Sequence, residues 1–234
     1  MKIALLGYGK MGKTIEKIAI DRGHEIVLKV TDDIESKDLS QVDVAIDFSV
    51  PSAAFKNITA CFKQQVPVIC GTTGWLEQYD EAVELCKTQK AAFLYASNFS
   101  IGVNLFFDLN QKLAKLMAPF KDYEIEIEEV HHTQKLDAPS GTAITLAQQV
   151  IANSSKENWK LDTAAENEIP IYAKRVDDVP GTHTISYKSE IDSIEITHTA
   201  HSRAGFALGA VIAAEWIKDK KGVFSMKEVL SGLS

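Results

Sequence analysis

The run Glu126-Ile127-Glu128-Glu129-Val130-His131-His132-Thr133-Gln134-Lys135-Leu136-Asp137-Ala138-Pro139-Ser140-Gly141-Thr142 holds the densest chemistry in the chain. Two histidines and a lysine leave a strand-like alternation together, and a turn then delivers Ser140, a natural helix N-cap. A helix opening there offers the N–H groups of Gly141 and Thr142 at its positive end, a site for an anion. With a cationic Lys135 and a donor from His132 nearby, the anion that fits is a carboxylate. A metal is the poorer reading of His131 and His132, because adjacent strand residues point to opposite faces and no third ligand cluster is evident. Arg203, just before a final run of small residues, suits either a second carboxylate clamp or an ion pair at a domain hinge.

A second constellation lies at the other end of the sequence. Gly7-Tyr8-Gly9-Lys10-Met11-Gly12 is a G-x-G-x-x-G between an expected strand and an expected helix. Gly7 permits the tight turn, Gly9 lets the backbone approach a pyrophosphate, and Gly12 allows close strand–helix packing. Asp32 follows Gly12 by 20 positions, at the end of the next expected strand, where an acid binds a ribose hydroxyl. Gly71-Thr72-Thr73-Gly74 and Ala96-Ser97-Asn98-Phe99-Ser100 follow two further strands, on the same carboxyl edge of the sheet. The first is a cofactor loop or a plain turn; the second approaches a nicotinamide, serves as a crossover to another domain, or does both.

These groups must be positioned by regular elements. Short β-branched runs at Lys2–Leu6, Glu25–Val30, Val42–Asp47, Val66–Cys70 and Ala92–Tyr95 predict strands. Helical spacing over Lys10–Asp21, Ser52–Gln64, capped by Ser52, and Leu76–Thr88 separates them, the rhythm of a parallel α/β sheet. Beyond Val103 the pattern changes to helices at Asn104–Met117 and Thr142–Asn153 and strands at Tyr123–His132, Gly181–Tyr187 and Ser193–Thr199. Asn153–Asn167 is polar and is expected to be a loop, and Ala204–Ile217 returns to helical spacing. The expected architecture is a Rossmann-like dinucleotide-binding domain, residues 1–103 closed by 206–234, with an α+β domain of residues 104–205 inserted. The alternating strands of the insert leave an apolar face and sheet edges that need cover, so the oligomer contact is expected there.

Composition bounds what else the chain does. Its 234 residues are 45% hydrophobic and 24% charged, enough for one large or two modest cores. With 25 Lys and Arg against 32 Asp and Glu, a net charge of -7 argues against a general nucleic-acid partner. No apolar run approaches the roughly 20 residues that span a bilayer, and no signal peptide is expected, so the expected compartment is the cytoplasm. Cys61, Cys70 and Cys86 form no even set and no C-x-x-C pair, and are expected to be core thiols.

The element from His131 to Ala143 resembles the signature of the 4-hydroxy-tetrahydrodipicolinate reductase (dihydrodipicolinate reductase) family of the diaminopimelate route to lysine. The glycine loop, Asp47-Phe48-Ser49, Gly71 to Gly74, Asn98-Phe99-Ser100 with Gly102-Val103-Asn104, Gly181-Thr182-His183 and Ile196-Thr197-His198 resemble family motifs in family order, so the likeness spans nearly the whole chain. It implies reduction of a cyclic dicarboxylate imine by NADH or NADPH in a homotetramer joined through the inserted domain. Carried over by position, His131 is proton donor or acceptor, Lys135 is proton donor, and His132, Gly141 and Thr142 hold the substrate beside the Ser140 cap. Gly7, Tyr8, Gly9, Lys10, Met11, Gly12, Asp32, Gly71, Thr72, Thr73, Ala96, Ser97, Asn98 and Phe99 match the cofactor segments; no metal is implied. Three positions depart from the family pattern: Val50 and Asp33 stand where arginines are common, and Asp177 replaces a glycine near Arg175. The first two argue against tight 2′-phosphate binding and favour NADH; the third falls in an expected linker. A dehydrogenase of another small acid and a non-catalytic redox-cofactor sensor are the competing readings, and a sensor has no need of His131 and Lys135.

Overall fold

In β1 (Lys2–Leu6), Ile3 and Leu5 point to one face and Ala4 and Leu6 to the other, and all four are buried. A strand buried on both faces belongs inside a sheet with helices on either side. That is the arrangement in the computed structural model, which describes residues 1–232. After β1 come α1 (Lys10–Asp21), β2 (Glu25–Val30), β3 (Val44–Asp47), α2 (Pro51–Lys63), β4 (Val68–Cys70), α3 (Tyr79–Thr88) and β5 (Ala92–Tyr95). The chain returns to this unit at Ala204 with α6 (Ala204–Ile217), β11 (Gly222–Phe224) and α7 (Met226–Ser231). The sheet is parallel throughout, in the order β11-β5-β4-β3-β1-β2. Ala4, Leu6, Val68 and Phe93 meet Ile58, Phe62 and Ala82 on one side, while Ile3, Leu5, Ile46 and Leu94 meet Ile15, Val211, Ala214 and Ile217 on the other. The chain leaves β1 to one side, to β2, and later resumes on the other side at β3. The crevice beyond the ends of β1 and β3 is therefore the topological switch point, where such sheets bind ligands.

The second unit, Gly102–Arg203, contains α4 (Ile101–Met117) almost entirely, then β6 (Glu124–His131), α5 (Gly141–Ile151), β7 (Asn158–Leu161), β8 (Glu168–Arg175), β9 (Gly181–Lys188) and β10 (Ser193–Ala200). Its sheet runs β10-β9-β6-β8-β7, antiparallel from β10 to β6 and parallel from β6 to β7. Ile125, Ile127, Ile171, Ile185 and Tyr187 form the covered face, against Phe106 and Met117 of α4 and Leu146, Ala147 and Val150 of α5. Asn110, fully buried, ties the two helices by donating to the Leu146 carbonyl at 3.2 Å and to Gln149 at 2.8 Å.

Several sequence expectations are corrected. The cap of α2 is Val50, with Pro51 in the first helical position, so Ser52 lies inside the helix. Strand β7 lies within the segment expected to be a loop; only Trp159 and Leu161 of its four residues are apolar, as suits a short edge strand. Strand β8 escaped notice because Pro170 interrupts it, yet the β6–β8 ladder starts only at Ile171, so the missing N–H leaves no gap there. The apolar face of the insert is already covered by its own helices. The opposite face carries Glu126, Glu128, Thr182, Thr184, Thr197 and Thr199, so apolar exposure of that sheet gives no reason for an oligomer.

Candidate active site

The inward row of β6 reads Ile125, Ile127, Glu129, His131, all buried. Its neighbour β9 supplies Tyr187, Ile185, His183 and Gly181 on the same face, with Glu129 opposite His183. At one end of this sheet the core thus turns from apolar to titratable, and the start of α5 closes over it. Ser140 caps α5: its Oγ accepts the Ala143 N–H at 3.2 Å, which leaves those of Gly141 and Thr142 outside the cap. Gly141 is exposed, a Cβ on it would meet nothing within 4 Å, and the first turn holds no acid, so the helix end suits an anion.

Glu129 lies beneath that helix end. Both of its oxygens accept the Ser140 N–H at 3.1 Å, and Oε1 also accepts the Arg175 guanidinium at 3.3 and 3.4 Å. Ser140 Oγ meets His183 Nε2 at 3.0 Å. The His131 and His183 rings pack edge to face, 5.0 Å between centroids. Burial alone would raise the Glu129 carboxyl, but the donors of His183 and Ser140 outweigh it and hold that carboxyl well below its usual range. Burial, with repulsion from His183, Lys135 and Arg175, pulls the His131 imidazole down to about 4 despite the attraction of Glu129. His131 is neutral at neutral pH.

Lys135 sits in the loop between β6 and α5, half-buried, with Nζ donating to both oxygens of Asp137 at 2.7 and 2.6 Å. Arg175 pins that loop, donating to the carbonyls of Lys135 at 3.3 Å and Asp137 at 2.7 Å, while Thr133 donates to Asp177 at 2.6 Å. The segment expected to be a mere linker therefore braces the loop. His132 is half-buried at the loop's start, its carbonyl accepting the Lys135 N–H at 3.1 Å. Arg203 is exposed in the turn before α6. Sequence reasoning missed Glu129, Arg175 and His183. The period of two in β6 was the available signal for Glu129, since it places an acid in the row of Ile125 and Ile127.

The expectation that His131 lacks partners for a metal also needs correction, for Glu129, His131 and His183 each bring a donor atom within 4.8 Å of the others. The cluster is nonetheless better suited to protons than to a cation. Arg175 already brings positive charge to Oε1, and Ser140 occupies His183 Nε2.

At the switch point of the first unit the glycine loop has a distinct reason at each glycine. Gly7 has φ +89°, and a Cβ there would stand 2.3 Å from the Phe48 carbonyl oxygen; one at Gly12 would stand 2.5 Å from that of Gly7. At Gly9 a Cβ would meet nothing within 4 Å. Gly9 is also the exposed N-cap of α1, which has no side-chain cap and no acid in its first turn, and this open, uncapped end fits a pyrophosphate. Lys10 is exposed and Met11 half-buried beside it. Tyr8 is fixed by its hydroxyl, which donates to Glu16 and accepts from Lys29 at 3.1 Å.

Asp32 is exposed and pairs with Lys37 at 3.0 Å. Asp33 is turned elsewhere: it accepts the Glu35 N–H at 3.0 Å and pairs with Lys56 at 3.0 Å. The Thr72 hydroxyl donates to buried Asp47 at 2.6 Å, so that residue offers a ligand only its main chain, whereas Gly71 is half-buried and Thr73 exposed. After β5, Ala96 and Asn98 are half-buried, Ser97 is exposed, and the Asn98 side chain accepts the Ser100 N–H at 2.9 Å. The Phe99 side chain is a correction: 1% exposed and packed on Phe48, it belongs to the core rather than to a cofactor surface. All three cysteines are buried, and burial pushes the thiols of Cys61, Cys70 and Cys86 up, the last to about 11.

Comparison with known proteins accords with this geometry. Family models for the N-terminus and the C-terminus of dihydrodipicolinate reductase match residues 21–99 and 102–230. The chain is 65% identical over 236 residues to the 4-hydroxy-tetrahydrodipicolinate reductase of Christiangramia forsetii, covering 100% of this chain and 99% of that one. It is 36% identical over 229 residues to the enzyme of that name from Neisseria meningitidis serogroup B, covering 92% and 83%. In fold it is similar to a dipicolinate-bound dihydrodipicolinate reductase from Paenisporosarcina sp. TG-14, with TM-score 0.77 at 24% identity over 96% of this chain and 97% of that one. A doubly wound sheet with an open glycine loop, an inserted sheet ending in a capped anion site, and relatives matched end to end make this chain a member of the dihydrodipicolinate reductase family.

Proposed function

We propose that the protein reduces 4-hydroxy-tetrahydrodipicolinate, a cyclic imine dicarboxylate, to tetrahydrodipicolinate with loss of the hydroxyl as water, in the diaminopimelate route to lysine. The observation that carries this reading is the start of α5, where an uncapped pair of N–H groups and a neutral histidine at the end of β6 flank the braced loop that carries Lys135. A substrate carboxylate is held by the N–H groups of Gly141 and Thr142, next to Ser140, with His132 as a further donor and Arg203 for the second carboxylate. A nicotinamide coenzyme at the Gly7 to Gly12 loop supplies the hydride when bound. Lys135 Nζ delivers a proton where negative charge builds on the ring, and must leave Asp137 to do so. His131, neutral in its buried setting, puts no second cation beside Lys135 at rest, and takes up a proton only as Lys135 gives one away.

Within this reading, residues 1–103 with 206–234 bind the dinucleotide, and residues 104–205 bind substrate and join a homotetramer. NADH is favoured because the Asp32 carboxylate accepts ribose hydroxyls and repels a 2′-phosphate. Lys37, paired with Asp32, and Lys10 offset part of that repulsion, which makes it a preference and not an exclusion. No helix among the described residues is long and apolar enough to cross a membrane, and the cytoplasm is the compartment we assign.

Loss of reduced-nicotinamide absorbance with freshly made substrate, using NADH and then NADPH, is the test. Lys135→Ala should lower kcat by about 10²–10⁴-fold, the usual scale of general acid catalysis. A change confined to KM would make Lys135 a carboxylate anchor only. No oxidation of either coenzyme by the wild-type protein would refute the assignment.

A further inference from the structure

Glu129 has no exposed surface, and a buried carboxylate is unfavourable unless donors surround it. Ser140 and Arg175 satisfy most of its demand, the guanidinium at Oε1. Oε2 faces two imidazoles, with His131 Nδ1 at 3.4 Å and His183 Nε2 at 3.7 Å. A ring nitrogen that turns its lone pair towards a carboxylate is repelled, whereas one that turns an N–H towards it is held. His131 Nδ1 is buried with no hydrogen-bond partner among the described residues, so the carboxylate is the group that decides which nitrogen carries the proton. The lone pair then falls to Nε2. On that side lies Gly181, where a Cβ would stand 3.0 Å from Nε2 and crowd the nitrogen.

We infer that Glu129 is a positioning residue: it fixes His131 as the Nδ1–H tautomer, with Nε2 left to exchange protons, and through Ser140 and Arg175 holds the helix start and the Lys135 loop in register with it. The inference rests on the proton-transfer role proposed above for His131. The other charged or titratable groups that face His131, namely His183 of β9, Lys135 of the loop and Arg175 of β8, all disfavour a second positive charge on the ring. Among the described residues only Glu129 attracts the Nδ1 proton.

Substitution by glutamine gives a specific signature. The Ser140 N–H is shared by both oxygens, but Arg175 donates only to Oε1, so it retains the amide oxygen on that side and turns the amide NH₂ to the Oε2 position, where it faces His131 Nδ1 as a donor. Imidazole nitrogen NMR of the full-length protein, assigned by comparison with His131→Gln, should show the Nδ1–H tautomer in the wild type and the Nε2–H tautomer in Glu129→Gln. The kcat of Glu129→Gln should fall about 10²-fold with substrate KM within a few-fold, and Glu129→Gln/His131→Gln should be no slower than His131→Gln alone. A wild-type Nε2–H tautomer overturns the proposal even if the glutamine variant fails to fold. Multiplying effects in the double variant overturn it while leaving His131 in the mechanism. Full turnover in His131→Gln overturns both the His131 role and the inference built on it.

Discussion

Acid should unfold this protein early, and His131 should be a principal cause. In the unfolded chain its imidazole takes a proton near the ordinary value of about 6.5; in the folded protein it stays neutral down to about 4. Between those values the unfolded state binds the extra proton, so the stabilising contribution is fully present above about pH 6.5 and is lost as pH falls through about 4. A shift of about 2.5 units corresponds to about 3 kcal/mol over the whole window, and about 2 kcal/mol of it disappears between pH 7 and pH 5. Glu129, held low, loses its own contribution only below its unfolded value, so measurement above pH 5 keeps the two apart. Urea unfolding at pH 7, 6 and 5 should show the wild type losing about 2 kcal/mol more than His131→Gln, which has no imidazole to titrate. His198 is also lowered, chiefly by burial, and remains in both proteins, so it cancels in the comparison. Parallel pH dependences for the two proteins would show that the His131 site is open to water and would remove the electrostatic reasoning above.

Gly12→Ala forces a Cβ against the Gly7 carbonyl and should destabilise the fold by about 1–3 kcal/mol, whereas Gly9→Ala should leave urea stability unchanged and raise the coenzyme KM about tenfold; equal effects of both would deny the pyrophosphate a place over Gly9. Lys37→Ala strips Asp32 of its partner and should lower kcat/KM for NADPH more than for NADH, and an NADPH advantage of about tenfold in the wild type would contradict the reading of Asp32. Asp33→Arg loses the contact with the Glu35 N–H and the pair with Lys56, so it should show mainly as a small drop in Tm, with little change in coenzyme ratio. Sedimentation at micromolar concentration should report a tetramer; a fully active monomer would end that part of the proposal.

The legible parts of the sequence were those whose cause is local. A strand followed by three spaced glycines constrains its own backbone, and Ser140 before Gly141 and Thr142 announces a cap from three consecutive residues. What stayed hidden depends on partners far along the chain. Arg175 looked like part of a linker because it braces carbonyls about 40 residues earlier, through a β6–β8 pairing that a strand containing Pro170 does not advertise. Glu129 was one glutamate among several until the pairing with β9 set His183 opposite it. Asp33 stands next to the acid at the expected spacing, but its carboxylate found a nearer N–H and Lys56, and Phe99 lay in a matching segment while its ring served the core.

The helix α6 also bears on how the chain is made. Ile3, Leu5, Ile46, Ile69 and Leu94 precede the inserted unit in the chain, yet much of the cover over them, Val211, Ala214 and Ile217, follows it. Where Phe99 O meets α6, Gly209 admits no Cβ, which would lie 1.8 Å from that oxygen, so an improvised substitute for this helix has little room. On a growing chain the inserted unit, whose core is contiguous in sequence, is complete first, and the first unit waits with one sheet face covered only in part, by α1, until α6 emerges. A nascent chain of this protein therefore passes through an interval in which its β-strands are exposed to solvent and to chaperones, and the length of that interval is set by the size of the insert.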